Sequence, residues 1–262
     1  MTTTAQHNAT APPAGKRAPM TSLRKTALLV GVLFVITYIT SITAKVAFYP
    51  PMFDNPDYMI SGGADTQLLW GAFFEVILII ANIGTAVALY PVVKKAYPAM
   101  SLGFVTARVM ESVFIAVGVL SVLTIVSMRQ DFAGAGAAES AGLSPVSHAF
   151  GTLYEWTFQL GPGFTVGVAN GLLLGWMMWR SGLVPRGMAA LGLVGGPLIC
   201  LSGAAVIFGV IDAGSAPQLL ATIPEFFWEL SFGVYLIVKG FKPSPVTTGM
   251  VDTTTAQQHA EA

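Results

Sequence analysis

The sequence predicts an all-α fold, a polytopic membrane protein that forms a bundle of six transmembrane helices with both termini in the cytoplasm. Three observations lead to this prediction: the composition, six long apolar windows and the distribution of Lys and Arg. Only 10% of the 262 residues are charged, against about 25% in an average soluble domain. Hydrophobic residues make up 54%, and the mean hydropathy is +0.68. A soluble globular protein, a disordered chain and a nucleic-acid-binding protein are excluded, because each needs more charge.

Six windows are long and apolar enough to cross the hydrocarbon core of a membrane, which takes about 20 residues of helix. The third and fourth windows exceed that length, so we expect those helices to tilt, kink or extend beyond the bilayer. The first window is too long for the apolar part of a signal peptide, so we expect it to be retained. The windows are residues 26–48, 67–90, 99–127, 148–179, 188–210 and 219–238.

The two ends of the chain are polar and have no apolar period, which predicts disordered cytoplasmic tails over residues 1–25 and 243–262. Residues 26–242 then form one six-helix transmembrane domain. The chain has one cysteine, Cys200, in an apolar stretch. A disulfide within the chain is therefore excluded, and we expect the thiol to pack as a small apolar side chain.

The distribution of Lys and Arg sets the orientation, since cytoplasmic flanks carry the excess of these residues. Of the thirteen, ten flank the side that holds both termini, two flank the opposite side and Arg108 lies within a window. Both termini are therefore predicted to face the cytoplasm. The ten are Lys16, Arg17, Arg24, Lys25, Lys94, Lys95, Arg180, Arg186, Lys239 and Lys242, and the two are Lys45 and Arg129.

Six ionisable residues inside the windows are the main candidates for function, because a charged group at the bilayer centre costs about 2.5–3.5 kcal/mol. We expect them to face the bundle interior, where they meet partners or water. Five are acidic and one is basic, and a low-dielectric interior does not hold such an excess of negative charge. Some carboxyls must be protonated, or a cation must be bound. The six are Glu75, Arg108, Glu111, Glu155, Glu225 and Glu229.

Spacing along the helices relates these residues to one another. Glu75, Glu155 and Glu229 each follow a predicted outer flank by ten to twelve residues. At 1.5 Å per residue this predicts a similar depth of about 12–18 Å for all three. Arg108 and Glu111 are i and i+3 on one helix face, so we expect them to pair.

Four residues are secondary candidates, and one of them, Glu225, is also among the six. Glu225 lies one turn from Glu229 on the same helix face, and His148 lies two turns from Glu155. The third is an amide beside a stripe of glycines, where an interhelical hydrogen bond is its simplest role. The fourth is a tryptophan that either lines a site or fills the bundle. They are Glu225, His148, Asn170 and Trp228.

Glycine and proline mark two features of the fourth window. The sequence Gly161-Pro162-Gly163 interrupts it, and a proline there kinks the helix and frees backbone carbonyls. Broken helices of this kind line some transporter sites, but a plain kink is an equal alternative. A glycine then recurs at every fourth position, which predicts close approach of another helix. The stripe consists of Gly163, Gly167, Gly171 and Gly175.

Motifs of established chemistry are absent from the sequence: it has no Gly-rich phosphate loop, no HExxH and no GxSxG. Two of the three histidines, His7 and His259, fall in the predicted tails, which excludes a multi-His metal site. We therefore expect no cofactor and no resident metal.

Several short stretches resemble one family of multi-spanning membrane proteins. They are SGLVPR at 181–186, LGLVGGP at 191–197, FWEL at 227–230, YLIVKGF at 235–241 and the pair Arg108 and Glu111. Together they are similar to the family catalogued as domain of unknown function 4386, over roughly residues 25–243. The resemblance implies a six-helix protein of the bacterial plasma membrane and implies no reaction, substrate or cofactor. The family pattern includes Arg186, Glu229 and Lys239 as they stand here.

The leading functional hypothesis is a small transporter or binding protein whose carboxylate-lined pocket binds a proton or a cation. Glu75, Glu111, Glu155 and Glu229 would bind it, with Arg108 holding Glu111. An intramembrane enzyme with a Glu as acid or base near His148 ranks lower, because a nucleophile is not evident. A structural or accessory subunit is a third alternative. The expected partners are the lipid bilayer and a proton, cation or small molecule; a homo-oligomer stays open, and nucleic acid is excluded.

Overall fold

The computed structural model describes residues 20–54, 58, 63–132 and 137–248. Over this part of the chain the fold is all-helical and has no strand. Besides a single turn at Pro50–Phe53 and short π-helical and 3₁₀ segments, seven α-helices follow one another. They are α1 Ser22–Thr43, α2 Asp65–Val93, α3 Pro98–Asp131, α4 Ala137–Leu160, α5 Gly175–Ser181, α6 Arg186–Ile207 and α7 Ala216–Val238.

Five of these segments are long and apolar enough to span a membrane, which makes the chain a multi-pass integral membrane protein. They are α1 with its π-helical extension Ala44–Phe48, together with α2, α3, α6 and α7. The first, second, third, fifth and sixth windows of the sequence are thus confirmed as helices of spanning length.

The fourth window, residues 148–179, lies on a helical segment that is interrupted. After α4, two π-helical stretches, Gly161–Thr165 and Gly167–Leu174, precede α5. The break begins at the Gly-Pro-Gly motif, because Pro162 has no N–H to donate and its glycine neighbours carry no side chain. Because a π-helical turn takes up more residues than an α-turn, side chains after the break face in new directions.

The helical segments form a closed ring in chain order. α1 packs against α2, α2 against α3, α3 against α4, the π-helical stretches against α6, α6 against α7, and α7 against α1. Buried apolar side chains, among them Phe34, Phe104, Trp228 and Phe232, form a core between these helices. Glu75, Arg108, Glu111 and Glu225 are buried between these helices, which defines where a site can lie.

The structure differs from the predicted N-terminal tail at its inner edge, where α1 already begins at Ser22. The side chain of Thr21 accepts a hydrogen bond from the backbone N–H of Arg24 at 3.3 Å and so caps the helix. The Arg24 guanidinium then donates to the carbonyls of Leu236 at 2.7 Å and Ile237 at 2.5 Å. This residue therefore ties the start of α1 to the end of α7.

The predicted C-terminal tail differs in the same way. The Ser244 hydroxyl is buried and donates to the carbonyl of Ser181 at 2.6 Å, and Pro245–Thr247 forms a 3₁₀ turn. The first residues after 243 therefore pack on the bundle. The rest of the two predicted tails, residues 1–19 and 249–262, lies outside the described residues.

Glycines bring α6 into backbone contact with the π-helical stretches. A Cβ atom added to Gly196 would lie 2.6 Å from the carbonyl oxygen of Gly167, and Gly171 faces the Gly196 backbone as closely. Real Cβ contacts are essentially never shorter than 3.0 Å, so a side chain does not fit at these positions. The glycine stripe is thus confirmed as a packing surface.

We expect Gly196→Ala to destabilise the protein by about 1–3 kcal/mol, because the added methyl group forces two backbones apart. The matched control is Gly187→Ala on the same helix, where an added Cβ meets nothing within 4 Å. The control should be neutral or more stable by about 0.5–1 kcal/mol, because alanine favours the helix. Unfolding by SDS in mixed micelles measures both; equal stability of the two variants would contradict the packing argument.

Candidate functional site

The one buried cation among the described spanning helices is paired within its own helix. Arg108 Nη1 on α3 donates to Glu111 Oε2 at 2.8 Å, as the i, i+3 spacing predicts. Arg108 Nη2 lies 3.5 Å from the hydroxyl of Thr85 on α2, and the guanidinium carbon lies 5.7 Å from the centre of the Phe34 ring on α1. Arg108 is therefore held by three helices and neutralises Glu111.

An amide on α2 supports this pair and was not among the candidates from the sequence. Asn82 Nδ2 donates to Ser112 Oγ at 3.2 Å and lies 3.5 Å from the Arg108 carbonyl. The Ser112 hydroxyl donates to the same carbonyl at 2.9 Å. The signal that could have identified it is a polar amide within an apolar window, since Asn82 lies in the second window.

Glu225 on α7 is the acidic residue with the least compensation. Only 2% of the residue is exposed, and neither carboxyl oxygen has a hydrogen-bond partner among the described residues. Glycines give the carboxyl its space, because a Cβ atom on Gly171 or Gly195 would lie 2.8 or 2.7 Å from Glu225 Oε2. Two carboxyl oxygens that are removed from water and accept no hydrogen bond are unfavourable unless a ligand or a proton binds to them.

Glu229 lies one turn further along α7 and is connected to the π-helical stretch. Asn170 Nδ2 donates to Glu229 Oε1. The neighbouring Trp228 is fully buried, and its indole Nε1 donates to the Asn170 carbonyl at 2.9 Å. Asn170 and Trp228 therefore act together to hold Glu229 in position. Asn170 Oδ1 has no partner in the part of the chain that is described.

These side chains surround a cavity of about 230 Å³ in the centre of the ring, which we call the carboxylate cavity. It is large enough for several water molecules. Its charged lining consists of Arg108, Glu111, Glu225 and Glu229, and the rest comes largely from apolar and hydroxyl side chains of α1, α2, α4, α6 and α7. Arg108 offsets one of the three carboxyls. The other two must be protonated or must share a cation.

Glu75 on α2 belongs to a separate hydrogen-bonded group. The hydroxyl of Tyr49 donates to Glu75 Oε2 at 2.7 Å, and that of Tyr154 on α4 donates to Glu75 Oε1 at 2.8 Å. Both tyrosines and Glu75 are buried. A cavity of about 10 Å³ beside Glu75 shares Phe158 and three other lining residues with the carboxylate cavity, so the two groups are neighbours.

Lys45 lies next to the Glu75 group. Its ammonium nitrogen lies 5.0 Å from the ring centre of Phe53, 5.3 Å from that of Tyr154 and 4.7 Å from that of Phe158. Three aromatic faces around one ammonium are a cation–π arrangement. From the sequence Lys45 is only a flanking charge, since nothing in the spacing predicts the aromatic rings around it.

His148 and Glu155 lie together, as their spacing predicts, but apart from the other candidates. Both are exposed and line a wide cavity of about 500 Å³ that Phe53 and Tyr58 also border. Glu155 therefore differs from the expectation that every ionisable residue of the windows faces the interior. Its neighbour Tyr154 is the residue of that helix turn that is buried.

The candidates from the sequence thus fall into three groups. The carboxylate cavity brings together Arg108, Glu111, Glu225 and Glu229, with Asn170 and Trp228 behind them. Glu75 forms its own group with two tyrosines, and the wide cavity holds His148 and Glu155.

The fold and the site define a class of protein: a polytopic helical membrane protein with buried carboxyls around a central cavity. The chain belongs to the family described as "Domain of unknown function (DUF4386)", whose model matches residues 29–240. The resemblance noted in the sequence is therefore confirmed. No curated protein and no solved structure matches the chain.

We expect Tyr154→Phe to destabilise the protein by about 1.5–3 kcal/mol, because it removes a hydrogen bond to the buried carboxyl of Glu75. SDS unfolding of the single and double variants measures this in a thermodynamic cycle with Glu75→Leu. The cost of Tyr154→Phe should shrink in the Glu75→Leu background, where the acceptor is gone. An equal cost in both backgrounds would show that the tyrosine hydroxyl acts elsewhere.

Proposed function

We propose that this protein is a small transporter or binding protein that holds a proton or a cation in the carboxylate cavity. The observation that carries the proposal is Glu225, a buried carboxyl whose two oxygens have no donor among the described residues and which lines a cavity together with Glu229. A buried polar group without a partner is rare in folded proteins, and one aimed into a cavity indicates a bound species. Ionisable residues inside a membrane mark substrate and ion pathways by default.

The charge balance supports a positively charged occupant. The Arg108–Glu111 pair is neutral as a unit, so it adds no net charge to the cavity. Glu225 and Glu229 then leave two negative charges when both are ionised, where Glu225 has no donor among the described residues and Glu229 accepts one hydrogen bond from Asn170. One bound cation or one shared proton lowers this electrostatic cost. An anionic ligand would raise it.

The broken helical segment also supports movement of a ligand. Pro162 and Val166, at the π-helical stretches, line the carboxylate cavity. Interrupted helices are common at transporter sites, because their helix ends and freed backbone carbonyls can coordinate a substrate or an ion. This feature favours a transporter over a rigid binding protein.

We further propose six crossings of a bacterial plasma membrane with both termini in the cytoplasm. The excess of Lys and Arg on one side supports this orientation. The interrupted segment from α4 to α5 supplies the crossing that joins α3 to α6, and an even number of crossings puts both termini on one side.

Labelling of single cysteines with a membrane-impermeant thiol reagent tests this topology in a Cys200→Ala background. Phe132→Cys and Ala213→Cys, at exposed positions between helices, should be labelled in intact cells. Lys95→Cys and Gly187→Cys should be labelled only after permeabilisation. Labelling of Gly187→Cys in intact cells would mean that the interrupted segment does not cross.

We expect a bound cation, or a lower pH that supplies the proton, to raise the melting temperature of the wild-type protein. In Glu225→Gln this effect should be absent. A ligand at a concentration of a hundred times its Kd raises the free energy of unfolding by about 2.7 kcal/mol. In the absence of ligand, Glu225→Gln should melt no lower than the wild type, because it removes an uncompensated buried charge. Thermal unfolding in detergent with protons, Na⁺, K⁺ and methylammonium as probes measures both effects.

Glu155→Gln is the matched control, because it changes an exposed carboxyl outside the carboxylate cavity. It should retain the ligand effect of the wild type. The proposal fails if Glu225→Gln retains the effect, or if the wild type responds to none of the probes.

A further inference from the structure

We infer that the ligand of the carboxylate cavity is a primary ammonium ion with an apolar body, and that it enters sideways from the bilayer between α1 and α7. This inference rests on the proposed function and deepens it, because it names the class of cation and its route. The supporting residues are those that line the cavity and also lie on the outer surface of the bundle.

Two large apolar side chains form the opening. Ile42 on α1 and Phe226 on α7 both line the carboxylate cavity, yet 46% and 38% of their surfaces are exposed. Ile42 lies six residues before Phe48, the end of its spanning segment, which corresponds to a depth of about 9 Å at 1.5 Å per residue. The surface of a spanning bundle at that depth faces hydrocarbon. The opening therefore leads to lipid.

The packing of α1 and α7 explains why they leave a gap at this level. A Cβ atom on Gly31 would lie 2.6 Å from the carbonyl oxygen of Gly233, so the two backbones touch there. Two turns further along α1, the ring of Tyr38 stands between the helices, and its hydroxyl donates to the Phe226 carbonyl at 2.7 Å. On one side of Tyr38 the two helices are in contact. On the other side they form part of the wall of the carboxylate cavity.

The donor requirements of the cavity favour a primary ammonium ion. Within the described parts of the chain neither oxygen of Glu225 has a donor, and a primary ammonium group carries three N–H donors on one nitrogen. The rings of Tyr38, Phe158 and Phe226 also line the cavity. Aromatic faces attract cations and bury apolar surface equally well. In such a ligand the ammonium group would bind the Glu225 carboxyl, and the alkyl chain would lie in the opening against its apolar and aromatic side chains.

The approach from the wide cavity is less suited to a cation. The ammonium of Lys45 stands between the two cavities, 5.0 Å from the ring centre of Phe53, which lines the wide cavity, and 4.7 Å from that of Phe158, which lines the carboxylate cavity. A second cation on this path meets a like charge. The opening between α1 and α7 has no cationic side chain in its lining apart from Arg108, which Glu111 neutralises.

Calorimetric titration of the full chain in lipid nanodiscs tests the inference, with methylammonium, n-propylammonium and n-hexylammonium as probes and empty nanodiscs as the blank. The affinity measured from water should rise by about fourfold for each added methylene group until the opening is filled. Ile42→Trp fills the opening, so the affinity for n-hexylammonium should fall to that for methylammonium. Affinity for methylammonium itself should not change.

Ile39→Trp is the matched control, since Ile39 is also on α1, is 56% exposed and does not line the cavity. It should bind all three ions as the wild type does. Equal affinities for the three ions in the wild type, or equal effects of Ile42→Trp and Ile39→Trp, would overturn the inference and leave the proposed function standing. If none of the three ammonium ions binds to the wild type, the inference is likewise overturned, and the proposed function is then decided by the response of the melting temperature to protons, Na⁺ and K⁺. If Glu225→Gln binds the three ions as the wild type does, the proposed function fails as well.

Discussion

A carboxyl group in the interior of a membrane bundle must find a donor, a counter-ion or a proton, and the centre of this protein is organised around that requirement. Three of the carboxyls inside the bundle have a partner within the chain. Glu111 is paired with Arg108, Glu75 accepts from two tyrosines, and Glu229 accepts from an amide. Glu225 alone among these carboxyls is left without a donor in the part of the chain that is described. Among the carboxyls, the need for a ligand or a proton is therefore greatest at Glu225.

The interrupted helical segment is what lets this arrangement form. Its π-helical stretches carry Asn170 to Glu229 and set Gly171 against both the α6 backbone and the Glu225 carboxyl. A straight α-helix from α4 to α5 would keep a period of 3.6 residues and present other side chains to α7. The proline that breaks the segment, Pro162, itself lines the cavity, so the break and the site are one local feature.

Local properties of the chain were predictable, and relations between helices were not. Spanning length depends only on consecutive apolar residues, and the Arg108–Glu111 pair depends only on spacing within one helix, so both follow from sequence. The rotation of each helix about its axis is set by packing against neighbours. For this reason Glu155 is exposed and the adjacent Tyr154 is buried. The predicted depth of Glu155 matched that of Glu75 and Glu229, but depth does not determine which side of a helix faces the interior. Asn82 could have been found from its polarity within an apolar window.

The glycine wall behind Glu225 has a consequence for how such a site can diversify. On that side the carboxyl faces Gly171 and Gly195, and no larger residue fits at either position: a Cβ atom on Gly171 would press on the Gly196 backbone, and one on Gly195 would press on the backbone of α7 at Glu225. This wall is therefore made of main chain and offers no side chain to exchange. Substitutions that alter which molecules are accepted are confined to the rest of the lining, for example Ile42 on α1, which can vary without disturbing the wall. The choice among ligands is thus separated from the packing that holds the carboxyl in place.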